Sequence, residues 1–364
     1  MSDPCEQGSK KSYFLTLDFM RGIAAICVVV FHWCDAFGYL FFGSSLLAVD
    51  FFFLLSGFVI ANAYEARLKS GYSLVRFFLQ RLLRLYPMII AGAVIGFIYF
   101  AMKGVKEANG FDLELFGLLG LNLLMFPMTL DATQTMFPLN VPMWSLFFEL
   151  MAYVAFAVFL LRIKTALLLA IIPVILVPYS VCIIATFGSE PITLNETVFK
   201  LSFFWRLSLW FIAGILLFRV RHMIARIRMG TQVSVFVLAL LIGLFLLPRD
   251  ILAWWQYELL TLVLLPMAIM AGLKIEPGQK WSRLAHMFGN LSYPLYVVHL
   301  PVMFFLSAAL KVMGVEDRLM LFWWGVIILP VTMLFAYLLY RFYDAPVRAW
   351  LGERLRSIEA KRVV

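Results

Sequence analysis

The stretch Leu17-Asp18-Phe19-Met20-Arg21-Gly22-Ile23-Ala24-Ala25-Ile26-Cys27-Val28-Val29-Val30-Phe31-His32-Trp33-Cys34-Asp35 sets an arginine and a histidine inside an apolar tract long enough to cross a bilayer. Eleven residues of α-helix advance about 16 Å and make close to three turns, so Arg21 and His32 share a face. Asp18 and Asp35 fall on the same side, each three residues from one of them. Ionisable side chains within a span are costly and rare, face the protein interior, and mark function by default.

The rest of the chain tells what kind of molecule carries this stripe. Of 364 residues 63% are hydrophobic and only 14% charged, with a mean hydropathy of +0.93, far more apolar than a soluble core of this length needs. Tracts able to cross about 30 Å of hydrocarbon recur from end to end. The expectation is an all-α, polytopic membrane bundle forming one domain over residues 1–364, with cytoplasmic tails at 1–13 and 347–364. Residues 1–12 are polar, with Lys10 and Lys11, and the first apolar tract is too long for a signal h-region, so the first span is expected to be retained. Cys5, Cys27, Cys34 and Cys182 show no paired or metal-ligand spacing, so neither disulfides nor a metal are expected.

Hydropathy gives eleven tracts, roughly 14–38, 45–65, 86–102, 113–130, 141–161, 165–187, 200–218, 232–248, 251–272, 289–311 and 320–343. Eleven crossings would put Arg219, Arg221, Arg226 and Arg228 outside and the acidic loop around Glu190 and Glu196 inside, against the positive-inside rule. Dropping tract 113–130, which holds Asp112, Glu114 and Asn122 at or within its ends, three glycines and Pro127, repairs the pattern. About ten spans remain, with a re-entrant or interfacial segment at 113–130 and both termini cytoplasmic. The formal net charge of +9 is then a matter of orientation, and no nucleic-acid partner is implied. The basic tail beyond Pro346 reads as an anchor on anionic lipid.

Further polar groups lie in or beside the spans. Asp50 opens a second, aromatic-rich span, and Ser56-Gly57 follows within it, serving either helix packing or chemistry. The segment 73–87 gathers Arg76, Gln80, Arg81 and Arg84 on one side before Pro87. It reads either as an amphipathic helix on lipid or as a phosphate clamp. Trp144, Ser145 and Glu149 follow Pro142, with Glu149 well inside the bilayer, where a carboxyl group needs a partner and His32 is one candidate. Arg206 is a second intramembrane arginine, to be paired with Glu149 or Asp50 or left to snorkel. Tyr293 and His299 sit among Pro294 and Pro301. That histidine serves a ligand or repairs backbone freed by proline. His222 and His286 fall in cytoplasmic loops.

These tracts together resemble the acyltransferase 3 family, bacterial integral-membrane enzymes that move acyl groups from the cytoplasm onto carbohydrates. The resemblance rests on Leu17-Asp18-x-x-Arg21-Gly22 running to His32, on Val49-Asp50-Phe51-Phe52-Phe53 with Ser56-Gly57, and on Arg81-x-x-Arg84 before Tyr86-Pro87. It extends to Trp144-Ser145-Leu146-x-x-Glu149, to Ser292-Tyr293-x-Leu295-Tyr296-x-x-His299-x-Pro301, and to Tyr343-Asp344-x-Pro346-x-Arg348, where a glutamate is more usual than Asp344.

The resemblance implies a multi-pass enzyme of the bacterial inner membrane with no permanently bound cofactor. Its co-substrate would be acyl-CoA, most simply acetyl-CoA, and its acceptor a carbohydrate or lipid-linked glycan. It casts Arg21, Arg81 and Arg84 as acyl-CoA contacts and His32 as general base, with Asp35 or Glu149 orienting the imidazole. Asp18, Asp50, Ser56, Trp144, Ser145, Arg206, Tyr293 and His299 become supporting or acceptor-side groups. An N-acyl-histidine intermediate is the alternative chemistry. A transporter or exporter is the competing class, since intramembrane charge suits it equally, although no internal repeat supports it.

Overall fold

The computed structural model describes residues 14–36, 42–106, 113–128, 135–187, 196–248, 251–275, 278–315 and 317–362; the N-terminal tail with Lys10 and Lys11 lies outside them. Thirteen α-helices are found among these residues and no strand. They are α1 (Leu15–Ala36), α2 (Leu47–Lys69), α3 (Leu74–Lys106), α4 (Leu113–Leu123), α5 (Met143–Ala155), α6 (Thr165–Phe187) and α7 (Glu196–Arg219). There follow α8 (Arg221–Arg226), α9 (Thr231–Leu246), α10 (Trp254–Lys274), α11 (Gln279–Val312), α12 (Arg318–Leu339) and α13 (Ala345–Arg362).

Nine helical segments among the described residues are long and apolar enough to cross a membrane, against the ten expected; α9, with 16 residues in the expected tract 232–248, is a shorter apolar helix. The tract dropped from the crossings contains only the 11-residue α4, about 16 Å long, which cannot span. Large apolar side chains such as Val174 (70% exposed) and Trp323 (60%) cover the outside, as hydrocarbon-facing residues do.

Two expectations are corrected. Residues 73–87 do not form a separate surface helix: they are the first turns of α3, a single 33-residue helix with Pro87 inside it. Proline within a membrane helix is tolerated where neighbouring groups re-satisfy freed backbone; two residues before it, the Leu85 carbonyl accepts from the Tyr293 hydroxyl at 2.5 Å, tying α3 to α11. Residues 345–362 of the basic tail are the helix α13, joined to α12 by a π turn (Tyr340–Asp344). His222 and His286 lie in helices, α8 and α11, rather than loops.

Two tight helix pairs position the polar groups. In the first, α1 runs parallel to α11: Gly22 sits against Phe288 and Gly289 against Asp18, where any larger residue would collide. In the second, α2 runs parallel to α7, with Gly57 on the Phe211 carbonyl and Gly214 on that of Leu54. Lipid provides no hydrophobic drive between helices, so such contacts come from small residues that let backbones approach. Helix α3 also runs parallel to α11, and Gly92 and Gly96, one turn apart, seat the chain around Leu139 and Asn140 against it.

Candidate active site

Arg21 is fixed where α1 meets α11. Its Nε donates to Ser292 Oγ at 2.9 Å, Nη2 donates to the Gly289 carbonyl at 2.9 Å, and the same Nη2 pairs with Asp18 at 3.0 Å. Arg84 of α3 has Arg21, Arg81 and Arg348 within electrostatic reach. Arg81 donates to the Tyr64 hydroxyl at 3.0 Å and keeps a buried Nε without a protein partner. Arg348, in the first turn of α13, pairs at 2.6 Å with the fully buried Asp344. Four guanidinium groups from three helices therefore converge with only Asp18 and Asp344 paired among them.

About three turns further along α1, the His32 ring stacks on that of His299, with centroids 5.2 Å apart and planes 29° from parallel. His299 is fully buried, and its Nδ1 lies 2.8 Å from the Tyr296 carbonyl. A carbonyl only accepts, so that nitrogen carries the proton and Nε2 holds the lone pair. Nε2 is buried without a protein partner. Pro301 lacks the N–H that would bond the Val297 carbonyl, and Asn140 Nδ2 replaces it at 3.0 Å. The sequence left His299 open between a ligand contact and backbone repair; Asn140 does the repair.

Glu149 belongs to a compact group between α2 and α5. Ser56 Oγ and the Tyr153 hydroxyl both donate to Glu149 Oε1, at 2.6 and 2.5 Å, and stand 3.3 Å from each other. Tyr293 has Asp344, Glu149, Arg84 and Arg348 within electrostatic range. Ser145 shares a hydrogen bond of 2.7 Å with the Tyr296 hydroxyl. The Trp144 ring lies on Phe203 at 4.1 Å.

Other candidate residues lie apart from His32. Asp50 and Arg206 form a two-pronged ion pair between α2 and α7, Nε to Oδ1 at 3.0 Å and Nη2 to Oδ2 at 2.8 Å, with both side chains buried. That resolves the partner of Arg206. Asp35 is exposed at the end of α1, and no bond joins it to His32 among the described residues. Among the described residues no group of three or more His, Cys, Asp or Glu side chains is arranged to hold a metal.

Sequence reasoning gave no role to two contributors. Arg348 had a readable signal in Asp344, the i,i+4 acid within one closing motif. Asn140 had none, since a polar residue in a connecting segment is unremarkable until its partner across the fold is seen.

An all-α bundle with nine membrane-length apolar segments among the described residues defines a polytopic membrane protein. The chain belongs to the acyltransferase 3 family, whose acyltransferase domain matches residues 14–341. It is an acyltransferase. It is 35% identical over 182 residues to "Protein 2 in picA locus" of Rhizobium radiobacter, an alignment covering 45% of this chain and 92% of that protein. No solved structure is significantly similar.

Proposed function

We propose that the protein transfers an acyl group, most simply acetyl, from cytoplasmic acyl-CoA to a hydroxyl of a carbohydrate or lipid-linked glycan at the bacterial inner membrane, within one domain spanning the chain. The observation that carries this reading is the convergence of Arg21, Arg81, Arg84 and Arg348 about three helical turns from the stacked His32 and His299. Guanidinium groups suit phosphate oxygens in paired, directed hydrogen bonds. The phosphates of CoA would rest among the arginines while its extended pantetheine arm carries the thioester along α1. Neutral His32 then takes the proton of the acceptor hydroxyl as that oxygen attacks the thioester carbonyl, and the CoA thiolate leaves. His299, with its tautomer set by the Tyr296 carbonyl, holds the His32 ring in place by stacking. Glu149, with Ser56 and Tyr153, offers a carboxylate for the acceptor's other hydroxyls.

Membranes incubated with labelled acyl-CoA donors, followed by mass spectrometry of the glycan products, test the reading. His32→Ala is expected to insert normally and lose at least about a hundredfold in transfer rate, the contribution of a positioned base. Arg84→Ala is expected to raise the KM for acyl-CoA roughly tenfold or more, the loss of a charged hydrogen bond, with a smaller effect on kcat. Full transfer by His32→Ala removes that residue from the mechanism.

A further inference from the structure

A second basic site lies at the end of the bundle where α2 gives way to α3. A cavity of about 910 Å³ opens among the last turns of α2 and α7, the π turn after α5 with the residues following it, the start of α6, and α8. Lys69, Arg162, Lys164, Arg219, Arg221 and His222 line it, against the single carboxylate of Glu65. None of Arg21, Arg81, Arg84 and Arg348 reaches it.

The one carboxylate is already engaged. Arg219 Nε approaches both Glu65 oxygens at 3.1 Å, and Lys69 Nζ approaches one of them at 2.6 Å. Arg219 is held further by the carbonyls of Ile163 at 2.7 Å and Leu160 at 3.1 Å, so it belongs to the frame of the cavity. Arg162 and Arg221 bond the carbonyls of Val158 and Phe218, four and three residues away, which are neutral acceptors. Lys164 is exposed where α6 begins. Three cations therefore share one concave wall whose only carboxylate is committed elsewhere. Leu68, Leu161, Ile163 and Phe218 add an apolar lining. Nearby Phe159, Leu167 and Met223 are 64%, 54% and 68% exposed, a surface suited to hydrocarbon.

We propose that this cavity binds the phosphate of an anionic phospholipid headgroup, with Arg162, Lys164 and Arg221 as its contacts and the flanking apolar surface taking the acyl chains. Basic pockets between spans on the cytoplasmic side select such headgroups, and the loop charges put this end of the bundle in the cytoplasmic leaflet. An anion with no acyl chain would use the cations and leave the apolar rim bare, which is why the lipid is preferred to a soluble phosphate.

The test uses the full chain in nanodiscs of phosphatidylcholine with and without phosphatidylglycerol, read by lipid retained in native mass spectrometry and by Tm. Wild type is expected to retain phosphatidylglycerol and to melt higher in its presence. The triple variant Arg162→Gln/Lys164→Gln/Arg221→Gln should retain it roughly a hundredfold less tightly, while melting like wild type in phosphatidylcholine alone. Should the triple variant fold poorly, Lys164→Gln, which changes one exposed side chain, is expected to weaken retention about fivefold. Retention unchanged in both variants overturns the proposal. So does stabilisation of wild type by inorganic phosphate or adenosine 3′,5′-bisphosphate where phosphatidylglycerol gives none.

Discussion

Asp50 and Arg206 show how far a single ion pair in lipid constrains interpretation. Both side chains are buried, and both carboxylate oxygens are bonded to the same guanidinium. Removing one partner strands the other charge, at a cost of about 3–5 kcal/mol, whereas replacing both with apolar residues is often neutral. Asp50→Leu and Arg206→Leu should each lower thermal stability strongly, and the double variant should recover most of it. Acyl transfer measured alongside separates structure from chemistry: recovery of activity with stability identifies the pair as a fastener, and a stable, inactive double variant returns Asp50 to the acceptor side. Asn140 repeats the logic without charge. Asn140→Ala leaves the Val297 carbonyl buried without its donor, and a loss of about 1–3 kcal/mol is expected by equilibrium unfolding in mixed micelles. The sequence displayed Asp50, Arg206, Glu149 and His299 as anomalies because each is polar in an apolar run. It left the partner of Arg206 open between Asp50 and Glu149, since pairing across 156 positions depends on which helices meet.

Between elements, the deciding residues are small. Gly92 and Gly96 let the chain at Leu139 and Asn140 lie on α3, and a Cβ at Gly96 would drive into the Leu139 carbonyl. Gly96→Val is therefore expected to displace this segment, release Asn140 from Val297 and unsettle the turn bearing His299. The expected result is lower stability together with lower transfer. Gly352→Ala in α13 is the matched control, because a Cβ there meets nothing within 4 Å, and its stability should hold or rise slightly. The crossings were legible from hydropathy and loop charge because burial in lipid imposes length and polarity on every span. The ends of α3, α11 and α13 were not, because proline and charge read as boundaries in a linear scan. Here Pro87, Pro294 and Pro301 all lie inside helices.

The long helices together give the molecule its asymmetry. Helices α3 and α11, of 33 and 34 residues, are each about 50 Å long, well beyond the 30 Å of hydrocarbon, and the segment from Leu319 to Ile358 is longer still. Helices α3 and α11 run parallel with their basic starts together, and α13 returns to α3 through Arg348 and Arg84. The arginine cluster lies toward the starts of α3 and α11, and the stacked histidines lie about three turns further along α1. In the proposed orientation this end is cytoplasmic, the side that would supply the proposed acyl-CoA donor. Single cysteines at Ser70→Cys, in the turn between α2 and α3, and at Met313→Cys, after α11, test this in a background without the four native cysteines. In intact cells a membrane-impermeant maleimide is expected to label position 313 and to reach position 70 only after permeabilisation. The reverse pattern would put the arginines outside the cell, away from the acyl-CoA pool, and the direction of transfer along α1 would have to be reversed with it.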